Sequence, residues 1–210
     1  MNGNGSASHL INSIEELDRI YSPVNPNSLK KEVDYVHPHY RAMIEVSPFV
    51  AIASAGPEGL DCTPRGDQPG FVRVVDEKTL MIPDRRGNNR ADTLRNILRD
   101  PRVGLLFLIP GVGETLRVNG RATISVDPDL LASFAVENKA PRSVIVVAVE
   151  TVYFQCTKAT VRAKLWDPAT QIPRSSLPST GTIIQTLSKG DVDGAAYDRE
   201  LPIRVPNQLW

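Results

Sequence analysis

Glu114-Thr115-Leu116-Arg117-Val118-Asn119-Gly120-Arg121-Ala122-Thr123-Ile124-Ser125-Val126 is the stretch on which the fold turns. Leu116, Val118, Gly120, Ala122, Ile124 and Val126 alternate with Thr115, Arg117, Asn119, Arg121, Thr123 and Ser125. Successive side chains of a strand leave opposite faces, so a period of two specifies one buried and one polar face. Downstream, Asp127-Pro128 opens a short helix through Phe134. Ser143 to Tyr153 then reads as a long strand whose continuous apolar centre needs cover on both faces. Upstream, Val103 to Ile109 is an apolar strand ended by Pro110-Gly111.

Further upstream the pattern stays β-rich. Phe49 to Ala53 is a compact apolar run, Gly56-Pro57-Glu58-Gly59 is a turn, and Leu60 to Thr63 returns as its hairpin partner. Phe71 to Val75 and Thr79 to Ile82 are two more strands, joined by Asp76-Glu77-Lys78. The period changes over Asn89 to Asp100, where Ala91, Leu94, Ile97 and Leu98 fall on one helical face. About six strands with hairpin-length connections predict a mainly β fold. An antiparallel barrel with peripheral helices fits them better than a doubly wound parallel sheet.

The two ends differ from this centre. Residues 1–12 read as a flexible lead, and Ser13 before Ile14-Glu15-Glu16 is a capping pattern for a helix over Ile14 to Ile20. Ser22, Pro23, Asn25, Pro26 and Asn27 break it, and a second helix starts near Pro38 and stops before Pro48. From Asp167 the chain is rich in Pro, Ser and Thr and regains helical pattern only over Thr182 to Leu187. The expected organisation is an arm at 1–39, a barrel domain at 40–168 and an extension at 169–210. Leu187, Leu201, Ile203, Val205 and Trp210 call for burial, which predicts an extension packed across a partner subunit; a weakly ordered extension is the alternative.

Composition narrows the function. Lys and Arg number 24 and Asp and Glu number 24, so no general basicity points to nucleic acid. The longest apolar run, Val144 to Val149, is far short of the ~20 residues needed to span a bilayer. Met1 to Ser8 has neither the basic start nor the apolar stretch of a signal peptide, so a cytoplasmic protein is expected. Cys62 and Cys156 cannot build a disulfide framework and read as small buried residues.

The densest chemistry lies in Thr63-Pro64-Arg65-Gly66-Asp67 and in Pro83-Asp84-Arg85-Arg86-Gly87-Asn88-Asn89-Arg90. Arg65, Arg85, Arg86, Arg90 and Arg95 cluster at strand-to-loop junctions and at the start of a helix. Arginine forks grip phosphate bidentately, helix N-termini present free N–H groups, and glycines let backbone approach an anion. A phosphomonoester pocket follows from this reading. Beside Asp84, Asp92 and Asp100, the same arginines also fit a solvated, salt-bridged surface, the commoner arrangement on composition alone. His37-Pro38-His39 lacks supporting Cys or carboxylate ligands, so no metal is expected. No Walker loop, Gly-x-Ser-x-Gly elbow or acid/base set is present, which suggests that a cofactor carries any reaction.

These motifs resemble the FMN-binding split-barrel proteins related to pyridoxamine 5′-phosphate oxidase. The resemblance runs through Thr-Pro-Arg-Gly-Asp at 63–67, Pro-Gly-Phe-Val at 69–72 and Ile-Pro-Asp-Arg-Arg-Gly-Asn-Asn-Arg at 82–90. It continues through Asp-Pro-Arg-Val-Gly-Leu-Leu-Phe at 100–107, Thr-Leu-Arg-Val-Asn-Gly-Arg-Ala at 115–122 and Cys-x-Lys-Ala-x-x-Arg-Ala-x-Leu-Trp at 156–166. It implies a six-stranded antiparallel split barrel and a homodimer with FMN, or less readily a deazaflavin, in a groove between subunits. By position, Arg65, Gly66 and Asp67 would meet the ring or ribityl chain and Ile82 and Pro83 the ring edge. Asn89 and Arg90 would grip the phosphate, helped by Arg85 and Arg86. Thr115 would reach the isoalloxazine from the neighbouring subunit, and Lys158, Arg162 and Trp166 would close the site.

The implied activity is redox of a small molecule, with NAD(P)H as a candidate donor. Gln155 stands where related proteins often have histidine, and no counterpart appears for the residues that hold pyridoxamine phosphate. A flavin- or haem-binding store or sensor without turnover, and an interaction protein without cofactor, are the competing readings.

Overall fold

The computed structural model describes residues 9–87, 89–206 and 209; Met1–Ser8, Asn88, Asn207, Gln208 and Trp210 lie outside the described residues. The chain divides into two compact units, residues 1–32 and 33–210.

In the first unit, α1 (Ile14–Ile20) forms as its capping residues dictate, with the Glu16 N–H donating to Ser13 Oγ at 3.1 Å. A second helix, α2 (Pro26–Lys30), was not expected. The residues that end α1 also start it. Asn25 Oδ1 accepts the Asn27 N–H at 2.9 Å, and Pro26 sits in the first turn, where its missing donor costs nothing.

The second unit begins with a bridge from Val33 to Val152 and with α3 (Pro38–Val46). It then builds one antiparallel sheet from β1 (Phe49–Gly56), β2 (Gly59–Gly66), β3 (Arg73–Asp76), β4 (Thr79–Asp84), β5 (Arg102–Leu108), β6 (Thr115–Ser125) and β7 (Ser143–Gln155). The spatial order is β2-β1-β5-β6-β7-β4-β3. The six-stranded expectation is therefore corrected to seven strands. The short, bulged β3 pairs with β4 alone and forms one edge, while β2 forms the other.

The alternation in β6 translates directly into burial. Leu116, Val118 and Ala122 face a core that also holds Ile52, Leu80, Ile82, Leu105, Phe107 and Ile145. β7 is buried at four of its first five positions and alternates afterwards, because β4 and β6 flank only its first half together. The β6–β7 register shifts at Asn119/Gly120. A Cβ on Gly120 would overlap the Ala148 carbonyl, so this bulge admits only glycine.

Two sequence expectations change. On α4 (Asp92–Arg99), Thr93 and Ile97 are buried and Leu98 is 77% exposed. The helix is rotated because polar groups dock it. The Thr93 hydroxyl donates to Asp61 Oδ2 at 2.8 Å, and Asn96 Nδ2 donates to Ser54 Oγ at 3.2 Å. Cys62 and Cys156 are exposed, not buried.

Helices α5 (Pro128–Ser133) and α6 (Lys158–Ala163) flank β7, and the chain ends in α7 (Thr180–Leu187) and α8 (Gly194–Arg204). The last was hidden in the sequence by Pro202 inside it and Gly194 at its start. α7 and α8 meet backbone to backbone, since a Cβ on Gly181 would overlap the Gly194 carbonyl. Leu187 and Ile203 stay exposed. Among the described residues no helix is long and apolar enough to cross a membrane.

Candidate functional site

The ladder order separates β2 and β4 by five strand steps, about 24 Å in a flat sheet at ~4.8 Å per step. Yet Arg65 Nη1 on β2 lies 3.0 Å from Asp84 Oδ1 on β4. The sheet must therefore curl until its two sides meet. A second pair crosses the same seam in the opposite sense: Arg85 Nε donates to Asp67 Oδ2 at 2.8 Å. Each strand end supplies one cation and one anion to its opposite. The four side chains are between 3% and 15% exposed.

Around these pairs the arginines converge. Arg85 Nη1 donates to the Phe134 carbonyl at 2.7 Å. Arg73 lies with its guanidinium carbon 3.6 Å from the Phe134 ring centroid and donates through Nη1 to Ser133 Oγ at 2.8 Å. Burial, and then the neighbouring Arg85 charge, lowers the pKa of Arg73. Arg142 donates its N–H to the Asp84 carbonyl at 3.1 Å and its Nη1 to Asn89 Oδ1 at 2.6 Å. Burial raises the pKa of Asp84, while Arg65 and Arg142 pull it back.

A cavity of about 210 Å³ opens here, lined by Pro64, Arg65, Gly66, Phe71, Pro83, Arg85 and Arg86, and by Leu209 near the end of the chain. Buried Arg65 Nε has no hydrogen-bond partner among the described residues, and neither has the buried Ser143 hydroxyl. Ser143 is the register partner of Asp84, so the two side chains leave the same face of the sheet.

The profile of the pyridoxamine 5′-phosphate oxidase family matches residues 36–156, more than half of the chain. The chain belongs to this family. No curated protein sequence matches it. Among solved structures, a single-residue variant of HupZ from Group A Streptococcus is 17% identical, with a TM-score of 0.47, over 57% of this chain and 99% of its own. General Stress Protein 26 from Bacillus anthracis is 15% identical, with a TM-score of 0.40, over 54% and 88%. A protein from Clostridium acetobutylicum related to that stress protein is 12% identical, with a TM-score of 0.43, over 56% and 86%.

Within this pyridoxamine 5′-phosphate oxidase family chain, the expected site residues divide into three groups. Arg65, Gly66, Pro83, Arg85 and Arg86 share the seam cavity, with Asp67 held to Arg85 and Asn89 tied in through Arg142. The Ile82 side chain is fully buried in the core, so only its backbone is available to a ligand. Arg90 pairs with Asp92 at 2.8 Å and lines a separate groove of about 240 Å³ with Asp61, Arg95 and Arg99.

The third group surrounds the loop between β5 and β6. Thr115 opens β6 opposite Gln155, and Trp166 Nε1 donates to the Val112 carbonyl at 2.7 Å. Thr160 of α6 donates to the Gly113 carbonyl at 2.6 Å, while Lys158 and Arg162 on the same helix are exposed. In ladder order, Gly66 and Thr115 lie at the same end of the sheet, three strands apart. Sequence reasoning missed Arg73, Asp84, Arg142 and Ser143 as site residues. Only Asp84 carried a signal, because it stands inside the 82–90 motif. No described group of His, Cys, Asp and Glu could hold a metal ion.

Proposed function

We propose that this chain is an FMN-dependent oxidoreductase acting on a small molecule, with the flavin phosphate at the seam and the ring in a groove shared by two copies of the chain. The observation carrying this reading is the excess of guanidinium at the seam. Arg65, Arg73, Arg85, Arg86 and Arg142 surround Asp67 and Asp84, and one buried N–H is left over. A dianionic phosphomonoester fits that donor set, and Phe71, Pro64 and Pro83 add apolar surface for a flat ring.

FMN would supply the hydride chemistry. The chain's residues would bind and orient it: Arg65, Arg85 and Arg86 at the phosphate, and Gly66, Asp67, Pro83 and the Ile82 backbone alongside. Arg90 joins only if it leaves Asp92. Thr115, Lys158, Arg162 and Trp166 would come from the second copy, whose matching seam they would cover. The curled sheet with open edges supports the split-barrel geometry that such a groove requires.

The test is to purify the protein, denature it and identify any released pigment, then mix holoprotein with NADH or NADPH without oxygen. Released FMN, bleached by a nicotinamide donor, is the expected result. Unbleached flavin or a released haem would favour a binding module instead. Colourless protein that takes up no added FMN would end the proposal.

A further inference from the structure

Arg65 and Asp84 do more than close the seam. A guanidinium has five N–H donors in a fixed planar fork, so tying one nitrogen sets the direction of the others. Arg65 Nη1 is tied to Asp84 Oδ1 at 3.0 Å, and both side chains are nearly buried. Arg65 Nε is buried and unpartnered, a state that normally costs free energy unless an acceptor arrives. The second orphaned group, the Ser143 hydroxyl, belongs to the residue opposite Asp84 in the ladder. Two donors without acceptors thus flank one buried carboxylate, and Arg65, which carries one of them, also lines the seam cavity. The backbone beneath that carboxylate is held as well, since the Asp84 carbonyl accepts from the Arg142 N–H.

We propose that Asp84 is a positioning residue for anion capture, holding Arg65 so that its Nε–H and the Ser143 hydroxyl remain available to one phosphate oxygen of the bound ligand. The inference deepens the proposed function by naming the donors and the residue that aims them. It assigns Asp84 a geometric role. The carboxylate charge itself opposes the anion, so an uncharged acceptor of the same shape serves as well. Asp84→Asn keeps an oxygen for Nη1 and removes the repulsion, whereas Asp84→Ala releases the fork.

The test uses the full chain with two probes, inorganic phosphate and FMN, and with riboflavin as the control lacking phosphate. The Nε–H proton of Arg65, assigned through Arg65→Lys, is followed by NMR during each titration. In wild type and Asp84→Asn, phosphate and FMN move this signal, with affinities equal or tighter in the variant. In Asp84→Ala the FMN affinity falls by about tenfold or more, the order expected for losing one charge-assisted hydrogen bond to the ligand. Ser143→Ala breaks no existing hydrogen bond and keeps the fold. It weakens FMN several-fold and leaves riboflavin unchanged, so the proposal stays testable even if Asp84→Ala fails to fold. An Arg65 signal that ignores both probes in wild type, or equal loss in the Asn and Ala variants, would overturn it. Response to phosphate without FMN binding would instead refute the proposed flavin function and leave this subsite standing.

Discussion

Arg65 and Arg90 show how little a residue's type says about its task. Both are arginines in matching motifs, yet one is pinned by a buried carboxylate at the seam and the other pairs with Asp92 at an exposed helix start. Charge reversal separates them. Arg86→Glu, at the cavity wall, should abolish flavin retention, whereas Arg90→Glu should leave the protein yellow, as judged by absorbance after gel filtration. Loss of colour in Arg90→Glu would move the phosphate to the α4 groove. A second contrast concerns pH. Hydrogen bonding from Arg102 holds Asp100 well below its ordinary 3.8, at about 2. A depressed carboxylate stabilises the fold above its unfolded pKa and loses that contribution as pH falls through its folded value. Asp100→Asn should therefore lower Tm slightly near neutrality and flatten its decline between about pH 4 and pH 2, the two proteins converging at the acid end.

At the scale of elements, Gly120 is the position with least freedom. Adding a methyl group there forces β6 off β7 at the bulge, and Gly120→Ala should cost about 1–3 kcal/mol in denaturant unfolding, the range for overpacking. No loss of stability would mean the strands can part there without strain. The alternation around Gly120 was legible because burial on one face of a strand is a local property. The rotation of α4 was not. Its apolar residues promised Leu98 a place inward, but Thr93 and Asn96 found partners on β1 and β2 that no periodicity can see. α8 was likewise concealed, because its pairing depends on glycines meeting across two helices rather than on an apolar stripe. Within the site, the arginine motifs could be read, while Arg142 and Ser143 could not. Their place beside Asp84 arises from strand register more than fifty positions away.

Across the whole molecule, the seam holds together two sides of a sheet that no ladder of backbone hydrogen bonds joins. The reciprocal pairs Arg65–Asp84 and Asp67–Arg85 supply that closure. Removing one member leaves a buried charge alone and typically costs about 3–5 kcal/mol, whereas replacing both with apolar groups of similar volume can be nearly neutral. Asp67→Ala should approach the lower figure, and Asp67→Ala with Arg85→Met should recover part of the loss. A double-mutant cycle in urea measures the difference, and strict additivity would show that the pair does not fasten the seam.

The open ladder also leaves β2 with one side unpaired, and Pro64 lies within it. Counting from the two-residue turn that pairs Gly56 with Gly59, the Pro64–Ala51 pair falls at a non-hydrogen-bonded position, so the proline nitrogen points outward. A foreign strand approaching that flank would meet a missing donor and a ring where it needs an amide. At the opposite flank β3 offers four residues and a kink. The protein can thus keep a permanently unzipped sheet in concentrated solution without seeding fibrils.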